Sequence, residues 1–182
     1  MVNPFDIIAE FYEPGSAVCE MFVRHGEQVA QKATEVANRN SHLSPDLKFI
    51  EEAAILHDIA IFMTNAPGLN CFGAHPYVCH GYLGRELLEK KGLPRHALVC
   101  ERHVGVGITL DDIQQQKLPF PMRDMRPVSA EEQIICYADK FFSKNCGSEQ
   151  GEKTTREIMQ GLEPYGQKKV AQFQAWVDQF GE

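Results

Sequence analysis

Residues 53–62 read Ala53-Ala54-Ile55-Leu56-His57-Asp58-Ile59-Ala60-Ile61-Phe62, an apolar run broken by one imidazole and one carboxylate. Such a run belongs inside a folded domain, where an unpartnered imidazole or carboxylate is costly. A divalent cation or a polar network can supply the partner, and neutral imidazole with carboxylate suits borderline divalent metals. Two further helical stretches repeat the pattern. His25 falls on the stripe formed by Phe22 and Val29, and Asp139 interrupts the run Ile134-Ile135-Cys136-Tyr137-Ala138-Asp139-Lys140-Phe141-Phe142. One polar intrusion in an apolar helix is unremarkable. Three in one small domain point to convergence on a shared buried site.

A lone histidine, then His57-Asp58, then the distant Asp139 resembles the motif of the HD superfamily of metal-dependent phosphohydrolases. The flanking Ile55-Leu56-His57-Asp58-Ile59 and Tyr137-Ala138-Asp139-Lys140 resemble that family's context as well. The resemblance implies a helical fold in which His25, His57, Asp58 and Asp139 ligate a metal. The segments bearing it span about residues 20–145. His80-Gly81 and His103-Val104-Gly105 resemble elements that ligate a second ion in the two-metal members of the family. By that resemblance His25, His57 and Asp139 serve one ion, His80 and His103 serve the other, and Asp58 bridges. The implied reaction is attack of metal-bound hydroxide on phosphorus, with Asp58 and His57 as catalytic residues. Two cations would clamp the phosphoryl group and lower the pKa of the attacking water.

Imidazole and carboxylate without thiolate suit iron, manganese, cobalt, nickel or zinc better than magnesium, and four histidines against two aspartates lean to iron or manganese. The spacing is similar to HD-type diadenosine tetraphosphate hydrolases, which share the His-Gly element, the later His near a glycine and the Ala-Asp-Lys. After His57-Asp58 the chain reads Ile59-Ala60-Ile61-Phe62, without the lysine usual in the members that cleave cyclic dinucleotides. The expected substrate is a nucleotide or a related small phosphoester or anhydride. The ligand set leaves two other readings open: a di-iron HD-type oxygenase, and a non-catalytic nucleotide-binding sensor.

Candidates for gripping substrate are Arg123 and Arg126, on a proline-flanked segment that could fold over the site, with Lys140 and with Ser143 one helical turn beyond Asp139. His75 reads as a loop histidine, His96 as a surface histidine near a helix start, and His42 as a linker residue.

The elements that must carry these groups read as helix after helix. Asn3-Pro4 opens a short helix through about Tyr12. Helical spacing runs from about Ser16 to Asn38, and Ser44-Pro45 opens a helix carrying the His57-Asp58 pair. The Gly/Pro-rich stretch 64–76 reads as a structured loop. A helix from about Tyr77 to Lys91 stops at Gly92, and another from Pro94 ends near Gly105. Residues 105–128 read as a loop long enough to be a lid or binding segment. Ser129-Ala130-Glu131-Glu132 matches a capping box opening a helix to about Lys144. In the helices expected over 152–182, the stripe Phe173, Trp176, Val177 and Phe180 fits a core helix or a homodimer helix. Strand-like alternation is weak throughout. The expectation is all-α, a single HD-type helical bundle over residues 1–182.

The chain has 182 residues, 43% hydrophobic and 24% charged, enough for one well-cored domain. Its formal net charge of -7 gives it no general attraction for a nucleic acid polymer. Six cysteines with no C-x-x-C spacing read as reduced thiols of a cytoplasmic protein. Met1 to Asp6 lacks the basic flank and apolar core of a signal peptide, and no apolar run reaches bilayer length.

Overall fold

The computed structural model describes residues 2–144 and 151–181. Within them the chain is all-α apart from one small sheet. Helix α1 spans Pro4–Ile8 and is capped by Asn3, whose Oδ1 accepts from the Phe5 amide. It stops well short of Tyr12. Helix α2, Ala17–Arg39, is capped by Ser16 and buries Phe22, His25, Gly26, Val29 and Ala33 along one face. Ser44, at φ 50, is part of the turn into α3 rather than its cap. The cap is Asp46, and α3 spans Leu47–Leu56. Helix α3 ends before the His57-Asp58 pair, so the pair occupies the turn that leaves the helix and is not on its side.

Residues 64–76 hold three short strands, β1 (Thr64–Ala66), β2 (Cys71–Phe72) and β3 (His75–Pro76), in the order β2-β1-β3. The first pairing is antiparallel and the second parallel. Strands of two or three residues are too short for alternation to show, which is why sequence patterning reads the stretch as loop.

Helix α4, His80–Lys90, and α5, Pro94–Arg102, form a tight pair joined through Gly92 at φ 74. The segment after α5 is not one long loop. Thr109 and Asp112 form a reciprocal capping box, with the Asp112 amide donating to Thr109 Oγ1 at 3.0 Å and the Thr109 amide donating to Asp112 Oδ2 at 2.8 Å. That box starts α6, Leu110–Gln116, which buries Ile113. The remainder is pinned by a two-residue bridge between Ile108 and Met125. Ile113, Phe120 and Met125 pack with Ala60, Cys79 and Leu83 in a second, smaller core. A segment packed in this way is part of the body and not an open lid.

Helix α7, Ala130–Asp139, is capped by Ser129 and ends at Asp139. Glu132 does not close the expected box. Its carboxylate accepts from the Val128 amide at 2.6 Å and from Arg102 at 2.8 and 2.9 Å. Helices α8, Thr155–Leu162, and α9, Gln167–Phe180, close the chain. Phe173, Trp176 and Phe180 are buried within this chain, in the same core that includes Ile8, Phe22, Ile50 and Tyr137. Tyr137 donates to the Gly181 carbonyl at 2.8 Å and Trp176 to Gln133 at 3.2 Å, so the buried indole and phenol keep partners. The stripe on α9 is therefore a core stripe and needs no second copy to cover it. No helix among the described residues is long and apolar enough to cross a membrane.

Candidate metal centre

Four helix ends and the middle of α2 meet at one buried point. His25 comes from the interior of α2, His57 and Asp58 from the end of α3, His80 from the start of α4, His103 from the end of α5 and Asp139 from the end of α7. All six side chains are buried.

Three of the histidines are aimed by the same device. His57 Nδ1 lies 2.6 Å from the Ala54 carbonyl, His80 Nδ1 2.6 Å from that of Tyr77, and His103 Nδ1 2.7 Å from that of Cys100. In each case the acceptor is the carbonyl three residues earlier in the same helical turn, and the Tyr77 carbonyl also takes the His80 amide. A carbonyl only accepts, so each Nδ1 carries the hydrogen and each Nε2 is turned toward the centre. Fixing the ring through its other nitrogen is how metal-ligating histidines are oriented.

The carboxylate of Asp58 divides these nitrogens into two pairs. Its Oδ2 is 3.5 Å from His25 Nε2 and 3.3 Å from His57 Nε2. Its Oδ1 is 3.3 Å from His80 Nε2 and 3.2 Å from His103 Nε2. Asp139 Oδ1 joins the first pair, 3.0 Å from His25 and 3.4 Å from His57. The donor atoms of His25–His57–Asp58, of His57–His103–Asp139 and of Asp58–His80–His103 each fall within 4.8 Å of one another. His57 Nε2 and Asp58 Oδ1 are buried without a hydrogen-bond partner. Buried lone pairs converging in this way fit a cation held between them, so the residues present suit the group the resemblance implies.

Glycines let the helices come close enough. Gly26 follows His25, and a Cβ there would meet the Ile55 carbonyl oxygen at 3.0 Å, so α2 lies directly against α3. Gly81 follows His80, and a Cβ there would meet Val104 Cγ2 at 2.6 Å and the Cys100 carbonyl oxygen at 2.9 Å. Both His-Gly steps are thus places where a candidate ligand and a close helix contact coincide. Tyr12 supports the turn after the pair, its buried hydroxyl donating to the Ile59 carbonyl at 2.8 Å.

The electrostatics are those of two buried carboxylates drawing positive charge. Burial would raise both, yet neighbouring cations hold them well below the usual carboxylate range, Lys144 first for Asp58, and Lys140 then Lys144 for Asp139. His57 opposes its burial through Asp58 and Asp139 and is raised to about 9. Burial pushes His25 down to about 4 and His80 to about 3, and lowers His103 as well.

The remaining candidates separate. Lys140 reaches the centre, its ammonium 2.7 Å from Asp139 Oδ2 and donating to the His103 carbonyl at 3.2 Å. Ser143 lines a cavity beside Asp139, but not through a shared helix face, since α7 ends at Asp139. Arg123 and Arg126 are engaged elsewhere. Arg123 donates to Glu101 at 2.5 and 2.7 Å, and Arg126 pairs with Asp124 at 2.9 Å. Glu101 is fully buried and also takes Arg85 at 2.5 Å, so it anchors the 105–128 segment to α4 and α5. His96 is a buried residue and not a surface one. It packs edge-on to Phe49 at 4.9 Å and lies 3.4 Å from Glu52, away from the centre. His75 is half-buried in β3, and His42 is exposed. Cys19, Cys79, Cys100 and Cys136 are free thiols, Cys71 donates to the Leu69 carbonyl at 3.5 Å, and Cys146 lies outside the described residues.

Lys144 is the residue sequence reasoning missed. Its ammonium lies 2.8 Å from Asp58 Oδ2 and 3.7 Å from Asp139 Oδ1, with the Tyr77 hydroxyl as a further partner. It follows the end of α7, where helical periodicity gives no direction; its nearness in sequence to Asp139 was the available signal.

The chain belongs to the HD domain family, whose model matches residues 22–143. It is similar to the tRNA (cytidine(56)-2′-O)-methyltransferase of Picrophilus torridus, with 32% identity over 125 residues covering 68% of this chain and 32% of that protein. An uncharacterized protein of Methanocaldococcus jannaschii is 31% identical over 125 residues, covering 67% of this chain and 66% of that protein. The matched part is thus about a third of the first relative's length and just under two thirds of the second's. Among solved structures, the HD domain of the L. monocytogenes phosphodiesterase PgpH covers 85% of this chain and 88% of its own at a TM-score of 0.48 and 14% identity.

Proposed function

We propose that this chain is a metal-dependent phosphohydrolase that acts on a nucleotide or a related small phosphoester or anhydride. The observation that carries the reading is the split of the Asp58 carboxylate, one oxygen toward His25 and His57 and the other toward His80 and His103. We assign His25, His57 and Asp139 to one divalent ion, His80 and His103 to a second, and Asp58 to both. Iron or manganese is favoured by the donor set. When bound, two such ions polarise a phosphoryl oxygen and supply a nucleophile from water at neutral pH.

The chain's own part is positioning. Helix-end carbonyls hold three imidazoles by Nδ1, and their Nε2 atoms stay directed inward. Asp58 and Asp139 bring the negative charge that gathers cations. Lys140 and Lys144 bring positive charge to the Asp139 side, where an incoming phosphate would meet it. The buried walls around Ile59, Ala60 and Cys100 keep bulk water from the ligands.

Within the family we favour a type similar to the HD-type diadenosine tetraphosphate hydrolases, and we treat residues 1–182 as one HD-type unit. A cytoplasmic setting is supported by the free thiols of Cys19, Cys79, Cys100 and Cys136 among the described residues. The chain's net charge of -7 offers no general hold on an RNA polymer, which disfavours a tRNA substrate.

The test is hydrolysis by the full chain reconstituted with manganese, iron, cobalt, zinc or magnesium. Nucleotides and dinucleoside polyphosphates are the substrates, read as orthophosphate for the first and as mononucleotide products for the second. Metal-dependent hydrolysis abolished in Asp58→Ala supports the reading. Oxygen uptake without hydrolysis, or nucleotide binding with no turnover under any metal, overturns it.

A further inference from the structure

Two cavities border the centre, and they differ in kind. One, of about 520 Å³, lies on the Asp139 side and is lined by Lys140, Ser143, Lys144 and Lys153 together with Asp139. The other, of about 480 Å³, lies on the His80 side and is walled mainly by Val78, Val106, Ile108 and Leu118, with Gln116 and Tyr165 also lining it. Both volumes fall in the range of small-ligand sites. Tyr77 borders both cavities, so they adjoin across one aromatic ring.

Charge tells the two apart. In the first cavity Lys140 and Lys144 are held by Asp139 and Asp58 at 2.7 and 2.8 Å, and Lys153 adds a third ammonium, so its lining carries excess positive charge suited to an anion. In the second, the charged side chains are Asp112 and Lys169, and they pair with each other at 2.6 Å. Apart from His80, whose Nε2 is turned away into the candidate metal centre, what remains is apolar wall, two tyrosines and one exposed amide. A charged group entering there would lose its hydration without gaining a partner. An uncharged ring would gain apolar contact, aromatic faces from Tyr77 and Tyr165, and an amide edge from Gln116 for its polar rim.

We infer that the substrate lies across Tyr77, with its phosphoryl group toward Lys140, Lys144 and Lys153 and an uncharged ring, a nucleobase, in the cavity beside His80. This rests on the phosphohydrolase reading and deepens it. The side chains of Gln116, Leu118 and Tyr165 would then set which nucleotide is accepted, without touching the reacting phosphorus.

The experiment compares adenosine 5′-monophosphate with glycerol 3-phosphate on the metal-loaded full chain. Both release a primary alkoxide, so their chemistry is matched and the ratio of kcat/KM reports the ring. The expected ratio is about tenfold or more in favour of the nucleotide, the scale of one base stacked on an aromatic side chain. Gln116→Trp, at an exposed position, fills the cavity, and Tyr165→Ala removes an aromatic wall. Each should bring the ratio most of the way toward one, through the nucleotide's KM. A wild-type ratio near one, or variants that lower both substrates equally, overturns the inference and leaves the hydrolase reading standing. Release of phosphate from neither substrate with any divalent ion overturns the inference, while the hydrolase reading falls only if the dinucleoside polyphosphates are left uncleaved as well.

Discussion

His80 and His103 face each other through the same ring nitrogen, Nε2 to Nε2, across 3.1 Å. Each ring has its Nδ1 hydrogen committed to a backbone carbonyl. Two neutral imidazoles so fixed bring two lone pairs together, with Asp58 Oδ1 a third electron-rich atom at 3.2–3.3 Å. A proton is a poor mediator, because His80 is pushed down to about 3 and His103 is lowered too. A divalent cation would satisfy all three atoms at once. The account predicts that Mn²⁺ or Zn²⁺ raises the thermal midpoint of the wild-type chain, and that the increment shrinks in His103→Ala. A metal-independent midpoint in the wild type would contradict it.

Gly81→Ala should damage this half of the centre selectively. The new Cβ would meet Val104 Cγ2 at 2.6 Å and a backbone oxygen at 2.9 Å, forcing α4 away from α5. Overpacking of that kind costs about 1–3 kcal/mol. Gly161→Ala, where a Cβ meets nothing within 4 Å, is the control and should be neutral or slightly stabilising. Chemical denaturation of both variants gives the comparison. Equal stability would show that the close approach is not required.

Glu101 predicts the behaviour of the 105–128 segment. Its fully buried carboxylate holds Arg123 at 2.5 Å and Arg85 at 2.5 Å. Both guanidinium groups are partly exposed and can return to water, so Glu101→Ala should cost roughly 1–3 kcal/mol, less than breaking a fully buried pair. It should also speed tryptic cleavage at Arg123. Unchanged cleavage would mean that the smaller core around Ile113, Phe120 and Met125 holds the segment alone.

The histidines set the pH dependence of the chelator-treated chain. His25 at about 4 and His80 at about 3 lie below the unfolded value of 6.5, so the unfolded chain binds more protons in that range. Their contribution is present above 6.5 and is lost as pH falls toward 4. His57, raised to about 9, has the opposite sign: its contribution is full below 6.5 and is lost as pH rises through 9. Urea midpoints should therefore peak near neutrality and fall on both sides. His57→Ala should remove the alkaline decline and leave the acid one.

Lys144 bears on metal affinity. Its ammonium lies 2.8 Å from Asp58 Oδ2, where it would oppose a divalent ion. Lys144→Met should tighten Mn²⁺ binding about tenfold, the scale of removing one close like charge from a buried site. It should weaken competitive inhibition by inorganic phosphate in the same titrations. Weaker metal binding would make the lysine a support for the carboxylates instead.

Much of the centre was legible because burial and polarity conflict. His25, His57, Asp58 and Asp139 interrupt apolar runs, and the structure brings them within a few ångströms of one another. His80 and His103 sit at helix ends, where a polar residue is ordinary, so resemblance alone singled them out. His96 reads as a surface residue because its partner Glu52 is distant in sequence and invisible to local pattern. Helix α6 was masked by its polar composition, although its Thr109–Asp112 capping box stood in the sequence. Ser143 and Lys144 follow the end of α7, beyond the reach of helical spacing. The arginines Arg123 and Arg126 look free in the sequence because their carboxylate partners are set by the fold and by a local turn.

The most direct test of the central claim is metal stoichiometry of the full chain after reconstitution and desalting, read by elemental analysis. About two divalent ions per chain are expected. About one is expected in His103→Ala and in His25→Ala, and fewer than one in Asp58→Ala, because that carboxylate serves both pairs. A wild-type chain that holds one ion or none, or an Asp58→Ala chain that still holds two, would contradict a centre bridged by Asp58.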